Sequence, residues 1–217
     1  MRRLLNFIID VIFPRFCFGC GHMGEFLCDR CYSRLNFIIT ADLRAQLFPD
    51  LKQCFLERIQ ALLVYDELLQ KMIHHYKYLG CRDLYQNFAY WLWQFSDFGQ
   101  VDVITYIPVH RKRLRERGYN QAELIARELA RLSGVPCVSL LTRPIYRTNQ
   151  ARSKNKSERL RKTQDIFALA ANHVPSTARI LLVDDVITSG ATINEAARVL
   201  TQNHFQHVQA LALAHGD

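Results

Sequence analysis

The chain has 217 residues, 49% hydrophobic and 22% charged, which is ordinary globular usage and excludes a disordered, collagen-like or low-complexity chain. That length suits one full core with a small appendage. The net charge of +8 is unevenly spread, because residues 111–162 hold 15 Lys/Arg against four Glu, an excess of +11 that leaves the remainder slightly acidic. Such a stretch implies an anionic partner, either a polyphosphate or a nucleic acid, although a solvated face would also account for it.

MRRLLNFIIDVIFPRF opens with two arginines and an apolar run that Asn6 and Asp10 interrupt, with no small-residue cleavage site after it. It reads as uncleaved and is too short for a membrane span of ~20 apolar residues. It is either an amphipathic piece packed on the core or a peripheral contact with the inner face of a membrane. Cys17-x-x-Cys20 and Cys28-x-x-Cys31 follow, seven residues apart, a spacing that lets two knuckles present four thiolates to Zn²⁺ in a closed, structural site. Incidental buried thiols or disulfides are the alternatives, and a cytoplasmic location keeps thiols reduced. His22 is expected to be exposed. Residues 1–35 are thus a lead-in and zinc-binding module, 36–59 a connector with some helix, and 60–217 the main domain.

In that domain ALLVYD (61–66) suits a strand, and Leu68, Leu69, Met72, Ile73 and Tyr76 recur at helical spacing. Leu84, Phe88, Trp91, Leu92 and Phe95 mark a second helix, with Gly80 between the two and Gly99 after the second. DVITYIP (102–108) reads as a buried strand leading to a basic loop, a helix through NQAELIARELARL, a strand at 135–141, and a long polar loop over 143–164. The last third predicts strand 179–183, a loop, helix 191–203 and strand 207–214. Apolar strands alternating with amphipathic helices predict an α/β fold, a parallel sheet with helices on both faces.

RILLVDDVITSGATIN (179–194) carries the sharpest chemistry. A loop that holds a sugar phosphate at the end of a buried strand must approach it with backbone N–H groups, offer hydroxyls and open a helix. Thr188, Ser189, Gly190, Ala191 and Thr192 meet these demands. Asp184 and Asp185 are adjacent carboxylates that need a partner, which vicinal ribose hydroxyls or a nearby Mg²⁺ would supply; helix capping is the plainer alternative. The cations of PVHRKRLRERGYNQ, namely His110, Arg111, Arg113, Arg115 and Arg117, follow a predicted strand and so fall at the same sheet edge, where an anion such as pyrophosphate would lie. Taken alone, RKRLRER reads equally as a solvated or nonspecific nucleic-acid patch.

VDDVITSGAT resembles the phosphoribosyl pyrophosphate (PRPP) signature of type I phosphoribosyltransferases. The resemblance implies that Asp184 and Asp185 contact the ribose, in the catalytic position, and that residues 188–192 bind the 5-phosphate. With Ile12-Phe13-Pro14, the paired cysteines, the tyrosine-to-glycine stretch 65–80, PVHRKRLRERGYNQAELIA and a loop bearing Thr148 and Gln150, the chain resembles the ComF family of competence and GntX-like proteins over nearly its whole length. That family's loop ends in an R-x-x-N-x-x-x-A-F pattern, whereas here Lys162 follows Arg159 and Ile166 precedes Phe167, and Ser153 stands where leucine is usual. The resemblance implies a role in DNA uptake during natural transformation, with PRPP, Mg²⁺, single-stranded DNA and a DNA-uptake or helicase protein as partners. A phosphoribosyltransferase of nucleotide metabolism and a PRPP-sensing regulator without transferase activity are the alternatives. No segment announces a nucleobase pocket, so the acceptor is not legible.

Overall fold

The computed structural model describes residues 15–38, 42–48, 50–146 and 165–216. The lead-in before residue 15, with Ile12, Phe13 and Pro14, lies outside these residues. So does most of the 143–164 loop, including Thr148, Gln150, Ser153, Arg159 and Lys162.

Four parallel strands form the sheet: β1 (Arg58–Val64), β2 (Val103–Tyr106), β5 (Arg179–Ile187) and β6 (His207–His215), in the order β1-β6-β5-β2. A short antiparallel ribbon of β3 (Leu141–Thr142) and β4 (Ala168–Leu169) flanks it. The expected strand at 135–141 is reduced to one parallel bridge, Ile104 with Cys137, before the chain enters β3.

Both faces of the sheet are buried, and the side-chain alternation of a strand divides the core in two. Ile180 and Leu182 of β5 join Val208, Ala210 and Ala212 of β6 on one side, while Leu181, Val183, Leu211 and Leu213 face the other. The second side is covered by α3 (Glu67–Tyr78), α4 (Leu84–Phe95) and α6 (Gln121–Ser133). Their apolar stripes supply Leu69, Met72, Tyr76, Phe88, Leu92, Ile125 and Leu129. The first side is covered by α7 (Ala191–Gln202), through Ile193, Ala196, Ala197 and Leu200.

The connector also contributes to that first side. It contains α2 (Arg44–Leu47), and Leu43, Leu47, Phe48 and Leu56 join the first core. Asn194 of α7 fastens it, accepting from Phe55 N at 2.9 Å and donating to Gln53 O at 2.8 Å.

Local signals set the helix ends. Asp66 caps α3 by accepting from Leu69 N at 3.0 Å, and Asn120 caps α6 through Ala122 N at 3.2 Å. The amide of Asn120 also donates to Ile107 O at 3.0 Å, tying the helix start to the exit of β2. Gly134 ends α6 in the left-handed region.

The cysteine module, with α1 (Asp29–Tyr32), packs on α3 and α4. Phe18 sits edge-on to His75 at 4.8 Å and Tyr32 lies 5.7 Å from Trp91. Lys71 donates to Phe18 O at 3.0 Å.

Candidate functional site

Connections place the site. From β2 the chain leaves for α6 on one face of the sheet, and from the neighbouring β5 it leaves for α7 on the other. Adjacent strands whose exits diverge leave a crevice at their carboxyl ends, where ligands of open α/β sheets bind. Loops 107–110 and 188–190 flank this crevice.

Residues 188–190 bend sharply between β5 and α7. Gly190 has φ +74° and is the N-cap of α7. A Cβ there would meet the Phe48 ring at 2.8 Å, so only glycine suits both the backbone and the packing. Among the described residues no hydrogen bond engages the hydroxyls of Thr188, Ser189 or Thr192. The first-turn amides of α7, including Ala191, have no helical partner, so the loop offers hydroxyls and N–H groups to an anion.

The acidic pair sits differently from the expectation. The strand predicted to stop at 183 runs on to Ile187, so Asp184 and Asp185 lie within it and alternate. Strands continue while their backbones are paired, and Asp184, Val186 and Ile187 are in register with Ala212, Ala214 and His215. Asp185, the buried member, falls on the α3 side, where Lys77 Nζ lies 3.0 Å from its Oδ1 and 2.9 Å from its Oδ2. Burial pulls the Lys77 ammonium down, but Asp185 outweighs this and holds its pKa above the ordinary value.

Asp184 falls on the first side, its Oδ1 accepting from Asp185 N at 2.8 Å. Burial, then the neighbouring Asp185 charge, pushes its carboxyl up to about 7, against the opposing pull of Lys77 and Arg143. Arg143 lies over the Phe167 ring at 5.5 Å, and its buried Nε has no partner among the described residues. Burial and the nearby Arg113 hold its pKa down while Asp184 raises it. The unpartnered buried Nε of Arg143 suits an anion.

The basic stretch is not a loop. It forms α5 (Arg111–Arg117), which His110 caps by accepting from Lys112 N at 3.1 Å and Gly118 closes at φ +79°. A helix separates its cations by face. Arg111 and Arg115 are exposed, whereas Arg113 and Arg117 are half-buried. Arg117 donates to Tyr78 Oη at 2.8 Å and Gln121 Oε1 at 3.1 Å, so the five basic residues do not all converge on one anion. The rings of His110 and Tyr146 lie 4.9 Å apart, tilted to each other, and Lys112 Nζ is 4.8 Å from the centre of the same tyrosine ring. Between α5, α6 and residues 139–144 opens a cleft of about 520 Å³, with His110, Arg111 and Arg143 in its wall.

The four cysteine sulfurs all lie within 4.8 Å of one another, and Cys28 Sγ is 3.6 Å from both Cys17 Sγ and Cys20 Sγ. Tetrahedral zinc with Zn–S bonds of ~2.3 Å sets sulfurs about 3.8 Å apart, so the donor set fits zinc. Gly19 lets the knuckles close, since a Cβ there would be 2.6 Å from Cys31 Sγ. Burial and the other cysteines push the Cys31 thiol up to about 12; at Cys17 burial is outweighed by backbone hydrogen bonds from Cys28, Cys20 and Gly19, which draw it down to about 6. Unequal, crowded thiols of this kind settle when a cation shares them. His22 is exposed and outside the cluster.

The described residues thus combine a parallel sheet with helices on both faces, a glycine-hinged loop at its switch point and a four-cysteine module that could hold zinc. The ComF resemblance read from the sequence is borne out by its curated relatives. Competence protein F of Haemophilus influenzae is 32% identical over 115 residues, 52% of this chain and 50% of that protein. Competence protein ComFC of Streptococcus pneumoniae is 29% identical over 154 residues, covering 71% and 66%. DNA utilization protein YhgH of Escherichia coli K12 is 30% identical over 113 residues, covering 52% and 48%. The match thus spans about half the length of the first and third of these relatives. No protein-family model matches the chain. Among solved structures it is similar to a Bacillus subtilis glutamine PRPP amidotransferase complexed with ADP and GMP, with TM-score 0.45 and 17% identity, covering 64% of this chain and 30% of that one. It is also similar to an adenine phosphoribosyltransferase of Thermoanaerobacter pseudethanolicus, with TM-score 0.41 and 15% identity, covering 64% and 83%.

Proposed function

We propose that this chain is a PRPP-binding competence protein that handles incoming single-stranded DNA in the cytoplasm during DNA uptake, at or near the inner face of the membrane. The observation that carries the PRPP reading is the crevice between β2 and β5, with Asp184 and the Gly190 loop on the β5 side and residues 107–110 on the β2 side. Thr188, Ser189, Gly190, Ala191 and Thr192 would hold the 5-phosphate, Asp184 and Asp185 the ribose side, and His110, Arg111, Arg113 and Arg143 the diphosphate. Arg115 and Arg117, on α5, belong to the surrounding basic surface.

The donor set suits a Mg²⁺ that arrives with PRPP, because Asp185 is engaged by Lys77 and Asp184 offers one oxygen beyond its bond to Asp185 N. Bound there, Mg²⁺ would draw charge from the diphosphate. Should the chain transfer its phosphoribosyl group, Arg113 and Arg143 would stabilise the departing pyrophosphate from fixed positions.

The DNA reading is supported by the names of the relatives and by cations beside aromatic rings. Arg117 lies 4.8 Å from the ring of Tyr78, which is 58% exposed, and Lys112 covers Tyr146. Such pairs suit a backbone-tracking, base-stacking surface. The zinc module would dock a DNA-uptake or helicase partner. No helix among the described residues is long and apolar enough to cross a membrane.

The test is calorimetric titration of PRPP with Mg²⁺ into wild type and Asp184→Asn/Asp185→Asn. Saturable binding that the double variant loses is expected; folded wild type that binds no PRPP would remove the reading. Single-stranded DNA should bind with a steep salt dependence, and salt-insensitive binding would remove the DNA role.

A further inference from the structure

Lys77 lies outside the 179–192 motif, on a helix from another part of the chain, yet it grips the motif's buried carboxylate through both oxygens at 2.9 and 3.0 Å. The extension of β5 through Ile187 puts Asp184 and Asp185 on opposite faces of the sheet. One cation therefore cannot chelate both from one side. Lys77 pairs with Asp185 on the α3 face, and its charge also reaches Asp184, ahead of that of Arg143.

Mg²⁺ and Mn²⁺ require oxygen donors with room for several waters. At Asp185 that room is taken by an ammonium, whose side chain is only 20% exposed against 10% for the carboxylate. A divalent ion next to it would face unscreened like charge. The geometry points to Lys77 as the resident counter-ion of the acidic pair, standing where a divalent cation would otherwise bind Asp185, so that metal enters only with the ligand's diphosphate. Lys77 is thereby a positioning residue: it holds the Asp185 carboxylate in one orientation.

The ligand side of this inference rests on the PRPP reading, but the exclusion of metal does not require PRPP. The decisive measurement is Mn²⁺ titration of zinc-loaded protein, without PRPP, followed by electron paramagnetic resonance of the free ion. Wild type and Asp185→Asn should bind Mn²⁺ equally weakly. Lys77→Met should gain a site about tenfold or more tighter, and Lys77→Met/Asp185→Asn should lose it again. Lys77→Arg, which keeps the charge, should behave as wild type; Lys77→Gln, which can still donate to Asp185, substitutes if Lys77→Met does not fold. Wild-type Mn²⁺ binding that Asp185→Asn abolishes would overturn the inference, as would a folded, uncharged Lys77 variant with no gain. Failure of PRPP to bind wild type would remove the ligand reading while leaving the metal result intact.

Discussion

Asp184→Asn should make the protein more stable at neutral pH while removing a carboxylate from its site. The structure raises this group from 3.8 to about 7, mainly by burial. A raised carboxyl pKa means that the fold favours the protonated form. Its stabilisation is fully present below about pH 4 and is lost as pH climbs to about 7. At ~1.4 kcal/mol for each tenfold change in proton affinity, ionisation costs at most about 4 kcal/mol over that whole span. Thiolate-bound zinc is lost on acidification, so the accessible comparison is about pH 5.5 to 8. That window holds at most about 2 kcal/mol of the effect, and roughly 1 after local relaxation and water entry. The carboxamide that replaces the acid can still accept from Asp185 N but carries no titrating proton. Urea unfolding of both proteins at the two ends of the window should show the variant gaining roughly 1–2 kcal/mol on wild type as pH rises. For a chain of this size that corresponds to a relative rise of about 2–8 °C in melting temperature. A difference between the two proteins that is the same at both pH values would refute the reasoning, because it would mean that Asp184 ionises as readily in the fold as in the open chain.

Gly190→Ala should destabilise by about 2–4 kcal/mol, adding left-handed backbone strain to the clash with Phe48, and should weaken PRPP binding; the same substitution should cost less in a Phe48→Ala background than in wild type, and an equal cost in denaturant melts would exclude the Phe48 contact as a cause. Native mass spectrometry of reduced protein should find one zinc, reduced in Cys31→Ser; a stoichiometry near zero would remove the zinc assignment. Lys112→Ala/Arg115→Ala should lower the magnitude of the logarithmic salt slope for single-stranded DNA by about 1.4 if both cations contact phosphate, with a larger loss of affinity for DNA than for PRPP. Arg113→Ala/Arg143→Ala should do the reverse, weakening PRPP more than DNA in parallel calorimetry and anisotropy measurements.

Most of the sheet was legible because its strands are apolar runs bounded by glycine and charge, and its helices keep an apolar stripe: Leu69, Met72, Ile73 and Tyr76 fall on the buried face of α3 as their spacing predicts. The 111–117 stretch reads as a loop in the sequence because charge obscures its period. Its short helix buries nothing, so no hydrophobic pattern marks it, and only His110 and Gly118 signal its ends. The end of β5 was misplaced for the opposite reason. Two carboxylates look like the end of a buried strand, whereas backbone pairing to β6 carries the strand past them. That extension decides the chemistry. A loop would leave both carboxylates free to turn toward one ligand, but a strand sends them to opposite faces, and Lys77 supplies Asp185 with a partner from within the protein. The signal for Lys77 was present but indirect: it lies one residue beyond Tyr76, at the polar margin of an apolar stripe near the end of α3, where an unpaired ammonium would gain little from burial. Neither Lys77 nor Arg143 belongs to the motif that announces the site, and both reach it through tertiary packing, so linear spacing alone exposes the acidic pair but not the cations that control its charge.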